Sequence, residues 1–335
     1  MKNEYEKYKS KNIRILNKFI KNNSTLLNEN INFNMSGGNN PIQKYSNNSS
    51  ESTNFSDSSN SSNLSDSSNI DSLNDSSNDI KNNNSNLLNK SYHDKIVQKY
   101  GDFAKMGFKA KTDKVTHHDY FSVYPQYIET YRKLTNKGML EIGINTGKSL
   151  KLWLEYFPNA HIYGIDIGVE SEGTRYKVFK CDQSDNSQLE KVKNEIFRNN
   201  KDIFFIIDDG SHLPEHQILT FNNYFKTLLI GGGCYIIEDI ETSYWTKNDI
   251  YGYETRYGYK HPNSLIEIFK CLVDDINSEF LTTENRSKQQ SLMENIIPLD
   301  VRRLIKTVTF GKNCIVIMKK DNLQQERTYR FSENL

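Results

Sequence analysis

Residues 138–167 read GMLEIGINTGKSLKLWLEYFPNAHIYGIDI and decide the fold. An apolar run over 138–144 leads into a turn that contains glycine, and the apolar residues of 149–156 recur at helical spacing. A second apolar run follows over 161–167. Short, nearly continuous apolar strands on either side of a helix are typical of a parallel sheet that is covered on both faces. The stretch therefore predicts a strand, a helix and a second strand of one such sheet.

The same alternation of strands and helices continues downstream. Further strands are predicted over 176–182, 202–209, 233–240 and 314–320. The apolar spacing of 189–196 predicts a helix with Asn186 or Ser187 as its cap. Another helix is expected from Pro214, which suits a first helical turn, to Gly231. This order predicts an α/β, Rossmann-like fold, a mostly parallel sheet with helices on both faces, which the last strand closes.

The composition of the chain changes sharply near residue 90. Asn, Ser and Asp dominate residues 22–90. Such a segment has too little apolar surface to offset the entropy of ordering it, so we interpret it as a disordered tract. Before it, residues 1–21 contain enough apolar positions for a short helix. The folded domain is expected over 91–335.

Charge and hydropathy narrow the choice of partner and compartment. The 335 residues carry a formal net charge of +1, whereas nucleic-acid and acidic-membrane binders usually show a basic excess. We expect no nucleic-acid partner and no membrane partner, since no stretch approaches the roughly 18 apolar residues of a membrane span. With no secretory signal at its start, the chain is interpreted as cytoplasmic. Its four widely spaced cysteines are expected to be reduced core residues. Assembly into a homo-oligomer remains one possibility.

Acidic side chains gather where the predicted strands end. In an open α/β sheet, ligands bind at the carboxyl ends of the strands. The acids at these five ends are Glu141, Asp166, Asp182, Asp208 with Asp209, and Glu238 with Asp239. One such acid is as often a helix cap as a ligand group. Five strand ends with acids favour a single ligand-binding crevice.

The turn after the first strand indicates which ligand the crevice holds. It lacks the G-x-G-x-x-G pattern because Asn145 replaces the second glycine, and no G-x-x-x-x-G-K-[ST] loop is present. Asp166 follows Gly143 by 23 residues, where a carboxylate can accept hydrogen bonds from a ribose diol. These features favour an adenosyl ligand without a pyrophosphate, such as S-adenosylmethionine, over a nicotinamide dinucleotide.

Four segments resemble the macrocin/mycinamicin-type sugar O-methyltransferases. They are IDDGSHLPEHQILTFNNYFKTLLIGGGCYIIEDIETSYW, LEIGINTGKSLKLWLEYFPNAHIYGIDI, FKCDQSD and TDKVTHHDYFSVYP, and the resemblance covers about residues 92–320. It implies a class I methyltransferase fold, S-adenosylmethionine and Mg²⁺ as cofactors, and methylation of a deoxysugar hydroxyl. The acceptor is then a small molecule or a glycan.

The resemblance also implies roles for particular residues. The metal ligands would be Asp209, Glu238 and Asp239, and His212 would be the general base. The cofactor would be bound by Glu141, Gly143, Asn145, Gly147, Asp166, Asp182, Gln183 and Asp208. The chain departs from the family pattern at the loop INTGKS, which is poorer in glycine, and in the tyrosine-rich region 246–260.

The chemistry of these residue types agrees with such roles. Clustered carboxylates suit a hard cation such as Mg²⁺, and a histidine near its ordinary pKa of about 6.5 can accept a proton from a hydroxyl. His212 as a capping residue is the structural alternative, and His216 is expected to be structural. For His117 and His118, a lid over the site and a solvated turn remain equally open. Other acceptors, a phenol or a polyketide, and an inactive nucleotide-binding or scaffold protein also remain open.

Overall fold

The computed structural model describes residues 74–199, 202–247 and 254–326, with side chains from residue 90 onward. The short helix expected within 1–21 and the Asn/Ser-rich tract up to residue 73 lie outside the described residues. Among those that are described, no helix is long and apolar enough to cross a membrane.

Helix α1 (Asn74–Ala110) begins within the tract that the sequence analysis interpreted as disordered. Its backbone is not helical at Gly101, where φ is 70° and ψ is −146°, so two helical segments meet at this glycine. The described residues from Asn74 to His93 belong to one compact unit. Residues from Asp94 onward belong to another, which contains the sheet and the site described below.

A mostly parallel sheet of eight strands forms the centre of that second unit. The strands are β1 (Lys137–Ile142), β2 (His161–Asp166), β3 (Ser171–Gly173), β4 (Tyr176–Lys180), β5 (Asp202–Asp208), β6 (Leu229–Glu238), β7 (Ile305–Gly311) and β8 (Cys314–Lys319). Their order in the sheet is β3-β4-β2-β1-β5-β6-β8-β7. The five central neighbours from β4 to β6 pair in parallel, whereas β3, β8 and β7 pair antiparallel.

Helices cover both faces of this sheet. After α1, the described helices are α2 (Asp113–Thr116), α3 (Pro125–Ile128), α4 (Lys148–Tyr156), α5 (Asn186–Arg198), α6 (Pro214–Tyr224), α7 (Leu265–Ile276), α8 (Thr283–Met293), α9 (Leu299–Arg302) and α10 (Asn322–Glu326). Leu140 of β1 packs in one core with α5, α6 and α7, and Met139 packs in another with α1 and α4. Successive strand side chains point to opposite faces, which places these cores on the two sides of the sheet. The predicted α/β fold is confirmed.

The start of α5 differs from the prediction. Its cap is Asp185, whose carboxylate accepts hydrogen bonds from the N–H groups of Ser187 and Gln188. The predicted caps, Asn186 and Ser187, already lie in the first turn. Asp185 has the extended backbone of a cap residue, with φ of −99° and ψ of 104°.

The end of α6 also differs from the prediction. The helix ends at Tyr224, and β6 begins at Leu229, so Gly231 lies within a strand. The pairing of β5 with β6 shifts register near this point, and Gly232 has a φ of 77°. The glycines of 231–233 therefore lie in an irregular part of a strand, where glycine is often found, and do not end a helix.

The last predicted strand does not close the sheet. β8 lies between β6 and β7, and β7 forms the edge. The sequence analysis missed β7 because Lys306, Thr307 and Thr309 interrupt its apolar pattern. An edge strand exposes much of its surface, so the apolar run that marks a buried strand is absent.

Candidate active site

The strand ends selected from the sequence meet at one edge of the sheet. Ile142 of β1 pairs with Asp208 of β5, and Asp208 pairs with Ile237 of β6. Glu141, at the end of β1, pairs with Gly164 of β2. Because these strands are parallel, the acids at or after their carboxyl ends lie at the same edge of the sheet.

The turn after β1 passes directly against the end of β5. Gly143 has a φ of 86°, and a Cβ at this position would lie 2.1 Å from the carbonyl oxygen of Asp209. Only glycine permits so close an approach. The N–H of Asp209 also donates to the carbonyl oxygen of Ile142 at 2.9 Å. Asn145 and Gly147, with φ of 48° and 72°, complete this glycine loop beside the acidic end of β5.

Asp166 holds the glycine loop in place. Its Oδ2 accepts the N–H groups of Ile144 and Asn145 at 2.9 and 2.8 Å. Its Oδ1 accepts those of Gly168 and Val169 at 2.8 and 3.0 Å. The carboxylate thus bridges the loop after β1 and the loop after β2. A ribose hydroxyl that binds Asp166 would share its oxygens with these four backbone donors.

Gln183 and Asp208 form a buried pair. The amide nitrogen of Gln183 donates to both carboxylate oxygens of Asp208, at 2.8 and 2.9 Å, and to Thr220 Oγ1 at 3.0 Å. Its amide oxygen accepts the N–H of Ser211 at 2.9 Å. Burial raises the pKa of Asp208 to about 7, although the Gln183 hydrogen bond opposes the rise. The two side chains therefore stabilise the sheet edge beneath the crevice.

Two residues present their side chains nearer to solvent at the same edge. Asp182 is half-buried, and its Oδ1 accepts the N–H and the hydroxyl of Ser184 at 2.8 and 2.7 Å. Ile167, which directly follows Asp166, is 71% exposed. An exposed isoleucine here adds an apolar surface that a flat ring can cover, and the sequence analysis did not select it.

A fully buried lysine lies among the acids. Lys114 Nζ is 2.6 Å from Asp209 Oδ2, 2.7 Å from Glu238 Oε2 and 3.7 Å from Glu141 Oε1. Burial alone would lower its pKa, but the carboxylates of Asp209 and Glu238 raise the pKa of Lys114 well above its ordinary value. The other oxygen of Glu238 accepts the hydroxyl of Tyr124. Both carboxylate oxygens of Glu238 therefore have protein partners.

Asp209 also forms part of a candidate metal site with two other side chains, His212 and Asp239. Asp209, His212 and Asp239 each offer one ligand atom, and these atoms lie within 4.8 Å of one another. Burial, with the nearby carboxylates of Asp209 and Glu241, raises the pKa of Asp239 to about 7. A divalent cation would relieve this repulsion, and two carboxylates suit a hard cation. The residues present thus fit Mg²⁺, although Glu238 does not join this group in the structure.

Both His212 and Asp239 have strained backbones. Their φ values of 56° and 54° lie in the left-handed region, which residues other than glycine seldom adopt. Such strain is concentrated at functional sites. Burial lowers the pKa of His212, although Asp209 opposes the change, so the neutral imidazole predominates at neutral pH. A neutral imidazole can act as a proton acceptor.

A set of polar side chains fixes Asp239. Its Oδ1 accepts Asn313 Nδ2 at 2.9 Å and the hydroxyl of Tyr120 at 3.3 Å. Asn313 lies between β7 and β8, and its Oδ1 accepts the N–H of Glu241 at 3.0 Å. His118 Nε2 lies 3.8 Å from Asp239 Oδ1, and its ring stacks on Tyr120 at 5.2 Å. Of the tandem histidines, His118 therefore belongs to the site.

His216 lies beside the site and contacts a neighbouring serine. Its Nδ1 is 2.9 Å from Ser211 Oγ, and burial lowers its pKa. Ser211 in turn precedes His212. This contact agrees with the structural role expected for His216.

The tyrosine-rich region is hydrogen-bonded to the segment that follows Asp239. The hydroxyl of Thr255 donates to the carbonyl oxygens of Thr242 and Trp245, in the segment after Asp239. The exposed rings of Tyr244 and Tyr259 stack with centroids 6.1 Å apart. Tyr259 of this region and Tyr244, which lies five residues beyond Asp239 in the chain, thus form an aromatic surface.

The chain was compared with protein-family models and with curated proteins. No family model matches the chain. The 8-demethyl-8-alpha-L-rhamnosyl tetracenomycin-C 2'-O-methyltransferase of Streptomyces olivaceus is 29% identical over 230 residues, which cover 65% of this chain and 55% of the relative. Mycinamicin VI 2''-O-methyltransferase of Micromonospora griseorubida is 29% identical over 204 residues, 56% of this chain and 48% of the relative. The chain is similar to sugar O-methyltransferases.

A solved structure agrees with these relatives. MycE, a methyltransferase from the mycinamycin biosynthetic pathway in complex with Mg and SAH, has a TM-score of 0.54 and 26% identity. The match covers 66% of this chain and 54% of MycE. The chain thus spans about half the length of the relatives that it matches. The resemblance predicted from the sequence is confirmed.

Several polar residues of the site were not predicted from the sequence. Lys114, Tyr120 and Tyr124 lie in the segment TDKVTHHDYFSVYP, which the similarity to sugar O-methyltransferases already marked. His118 lies in the same segment, and for it a lid over the site was one of two open possibilities. No role was assigned to Lys114 or to the tyrosines, because α2, a 3₁₀ turn and α3 are too short to show a period. For Asn313, the sequence indicates a turn and no role in the site.

Proposed function

We propose that the chain is an S-adenosylmethionine-dependent, Mg²⁺-assisted O-methyltransferase that acts on a sugar hydroxyl of a small glycoside or a glycan. One observation carries this proposal, the contact of Gly143 with the backbone of Asp209. It joins a glycine loop without a phosphate-binding pattern to the group formed by Asp209, His212 and Asp239. A methyl donor in the loop would then lie beside the groups that bind and deprotonate an acceptor.

The cofactor would lie across the glycine loop. Gly143, Asn145 and Gly147 shape that loop, Asp166 fixes it and offers its carboxylate to the ribose, and Asp182 lies at the adenine end. Exposed Ile167 would cover the adenine ring. Three further candidates, Glu141, Gln183 and Asp208, are buried and would support this surface from below.

The acceptor would bind on the acidic side of the crevice. Asp209, Glu238 and Asp239 are the proposed Mg²⁺ ligands, with Asp209 and Asp239 already directed at one point. A bound cation lowers the pKa of an oxygen that it contacts. His212 would take the proton from the acceptor hydroxyl, because its imidazole is neutral and lies beside Asp239. Asn313 and Tyr120 would keep Asp239 in a fixed orientation.

The acceptor itself would extend toward the tyrosine-rich region. A sugar ring has an apolar face, and Tyr244 with Tyr259 offers an exposed aromatic surface for it. The same surface suits a planar phenol or polyketide, so these acceptors remain the second candidate class. A panel of glycosides and free phenols, assayed side by side, separates the two.

Calorimetric titration with S-adenosylmethionine, S-adenosylhomocysteine and NAD tests the cofactor assignment before any acceptor is known. We expect the two adenosyl compounds to bind at one site and NAD to bind far more weakly. Tighter binding of NAD would support a nicotinamide oxidoreductase. No binding of any of the three would support a scaffold with an inactive site.

A further inference from the structure

Lys114 connects the acids of three neighbouring strands. Its ammonium contacts Asp209 and Glu238 at hydrogen-bond distance and lies 3.7 Å from Glu141. These carboxylates come from the ends of β5, β6 and β1, and the lysine side chain has no exposed surface. A buried ammonium that faces three carboxylates carries its positive charge.

Two of these carboxylates belong to the proposed metal ligands. Asp209 Oδ2 and Glu238 Oε2 are the oxygens that the ammonium contacts, and Glu238 Oε1 is held by Tyr124. The ammonium therefore occupies oxygens that would otherwise attract a divalent cation. It also repels a second positive charge placed beside it.

We propose that Lys114 is a resident counter-ion, which holds Asp209 and Glu238 in place and limits the affinity of the site for Mg²⁺. The inference rests on the proposed function, since it presupposes that these carboxylates receive a divalent cation. Glu141, Asp209 and Glu238 provide three carboxylates around one ammonium. Loss of the ammonium leaves them without a nearby fixed cation, so the site should attract Mg²⁺ more strongly.

The direction of this effect separates a counter-ion from an ordinary structural lysine. A residue that only supports the fold would, when replaced, loosen the site and weaken the binding of a cation. Replacement of a competing counter-ion would release carboxylate oxygens and strengthen the binding of the cation. Lys114→Met removes the charge and keeps an unbranched side chain, whereas Lys114→Arg keeps the charge.

Lys319 provides a matched control. It is also buried, but its Nζ donates to the backbone carbonyl oxygens of Lys226 and Leu229 and, among the residues that the structure describes, to no carboxylate. Lys319→Met removes a buried lysine from another environment, in which burial lowers the pKa of its amine to about 8. It should reduce stability without a change in the affinity for Mg²⁺.

The experiment is calorimetric titration of the full chain with MgCl₂ at about pH 8. We expect Lys114→Met to lower the Kd for Mg²⁺ by at least about tenfold, and Lys114→Arg and Lys319→Met to leave it near the wild-type value. An unchanged or higher Kd in Lys114→Met, with Mg²⁺ still bound by the wild type, would contradict the inference and leave the proposed function intact. If neither protein binds Mg²⁺, the metal site is wrong and the inference falls with it.

Thermal unfolding covers the case in which Lys114→Met is unstable. Mg²⁺ should raise the Tm of this variant by more than it raises that of the wild type, because the cation replaces the missing ammonium. An equal or smaller rise would overturn the inference.

Discussion

His212 Nε2 lies 3.7 Å from Asp239 Oδ2. Both residues have left-handed backbones, and they follow different strands, β5 and β6. The proposed base and a proposed metal ligand thus share one small volume at the edge of the sheet. An acceptor hydroxyl held there would be within reach of both.

His212→Ala should lower the turnover number by about 10²–10⁴, the usual effect of removing a positioned base. His216→Ala is the control, since it removes a histidine four residues away that contacts Ser211 and not Asp239. The measurement is the steady-state rate with a working acceptor, together with the Tm of each variant. Similar turnover losses in both variants, in proportion to lost stability, would support a structural role for His212.

Asp166→Ala should raise the Kd for S-adenosylmethionine by roughly ten- to hundredfold, as expected for the loss of charge-assisted hydrogen bonds. It should also lower the Tm, because four backbone N–H groups of two loops lose their acceptor. Asp185→Ala is the matched control, an aspartate that accepts backbone N–H groups at the start of α5. It should lower the Tm and leave the Kd unchanged. Calorimetry that finds no rise in Kd for Asp166→Ala would remove this residue from the cofactor site.

The buried carboxyl of Asp208 should make stability depend on pH. Its pKa is raised to about 7 in the folded chain from an ordinary value of 3.8, so the folded state holds a proton that the unfolded state has lost. The resulting stabilisation is fully present below about pH 4 and is lost as pH rises to about 7. Over this range of pH, the free energy of unfolding of the wild type should fall by about 1–4 kcal/mol more than that of Asp208→Asn. Urea unfolding of both proteins at several pH values measures the difference, and parallel curves would contradict it.

The chain that starts at Ser91 should fold and bind S-adenosylmethionine like the full chain. It retains Phe103 and Ala104 of α1, which are buried in the core with α4, and all of the proposed site. The tract before residue 90 carries no motif for chemistry. Loss of cofactor binding in the shortened chain would mean that the proposed domain boundary at residue 91 is wrong.

The sequence predicted the sheet well because its central strands are buried on both faces. The runs around Leu140, Ile165 and Ile206 are nearly continuous and apolar, which is the signal of such strands. Acids at the ends of these runs then predicted one crevice without any knowledge of long-range contacts. The missed edge strand β7 is partly exposed, and its polar residues remove that signal.

The site was only partly predictable, because its polar contacts join distant segments. Lys114 lies 95 residues from Asp209 and 124 residues from Glu238 in the chain. From the sequence alone, a lysine in a four-residue helix is expected to be solvated. Only the fold places it at the strand ends. Likewise, the pairing of Gln183 with Asp208 shows that two candidate cofactor residues bind each other, which spacing alone does not reveal.

Transfer of a labelled methyl group from S-adenosylmethionine to a panel of deoxysugar glycosides tests the proposed function most directly. The assay compares Mg²⁺ with EDTA, and the wild type with Asp239→Asn, while calorimetry follows cofactor binding in each case. We expect a labelled glycoside only with Mg²⁺ and the wild-type chain, and nearly unchanged binding of S-adenosylmethionine throughout. Full activity in EDTA and in Asp239→Asn would contradict the metal-assisted mechanism, and a chain that binds no S-adenosylmethionine would contradict the methyltransferase assignment itself.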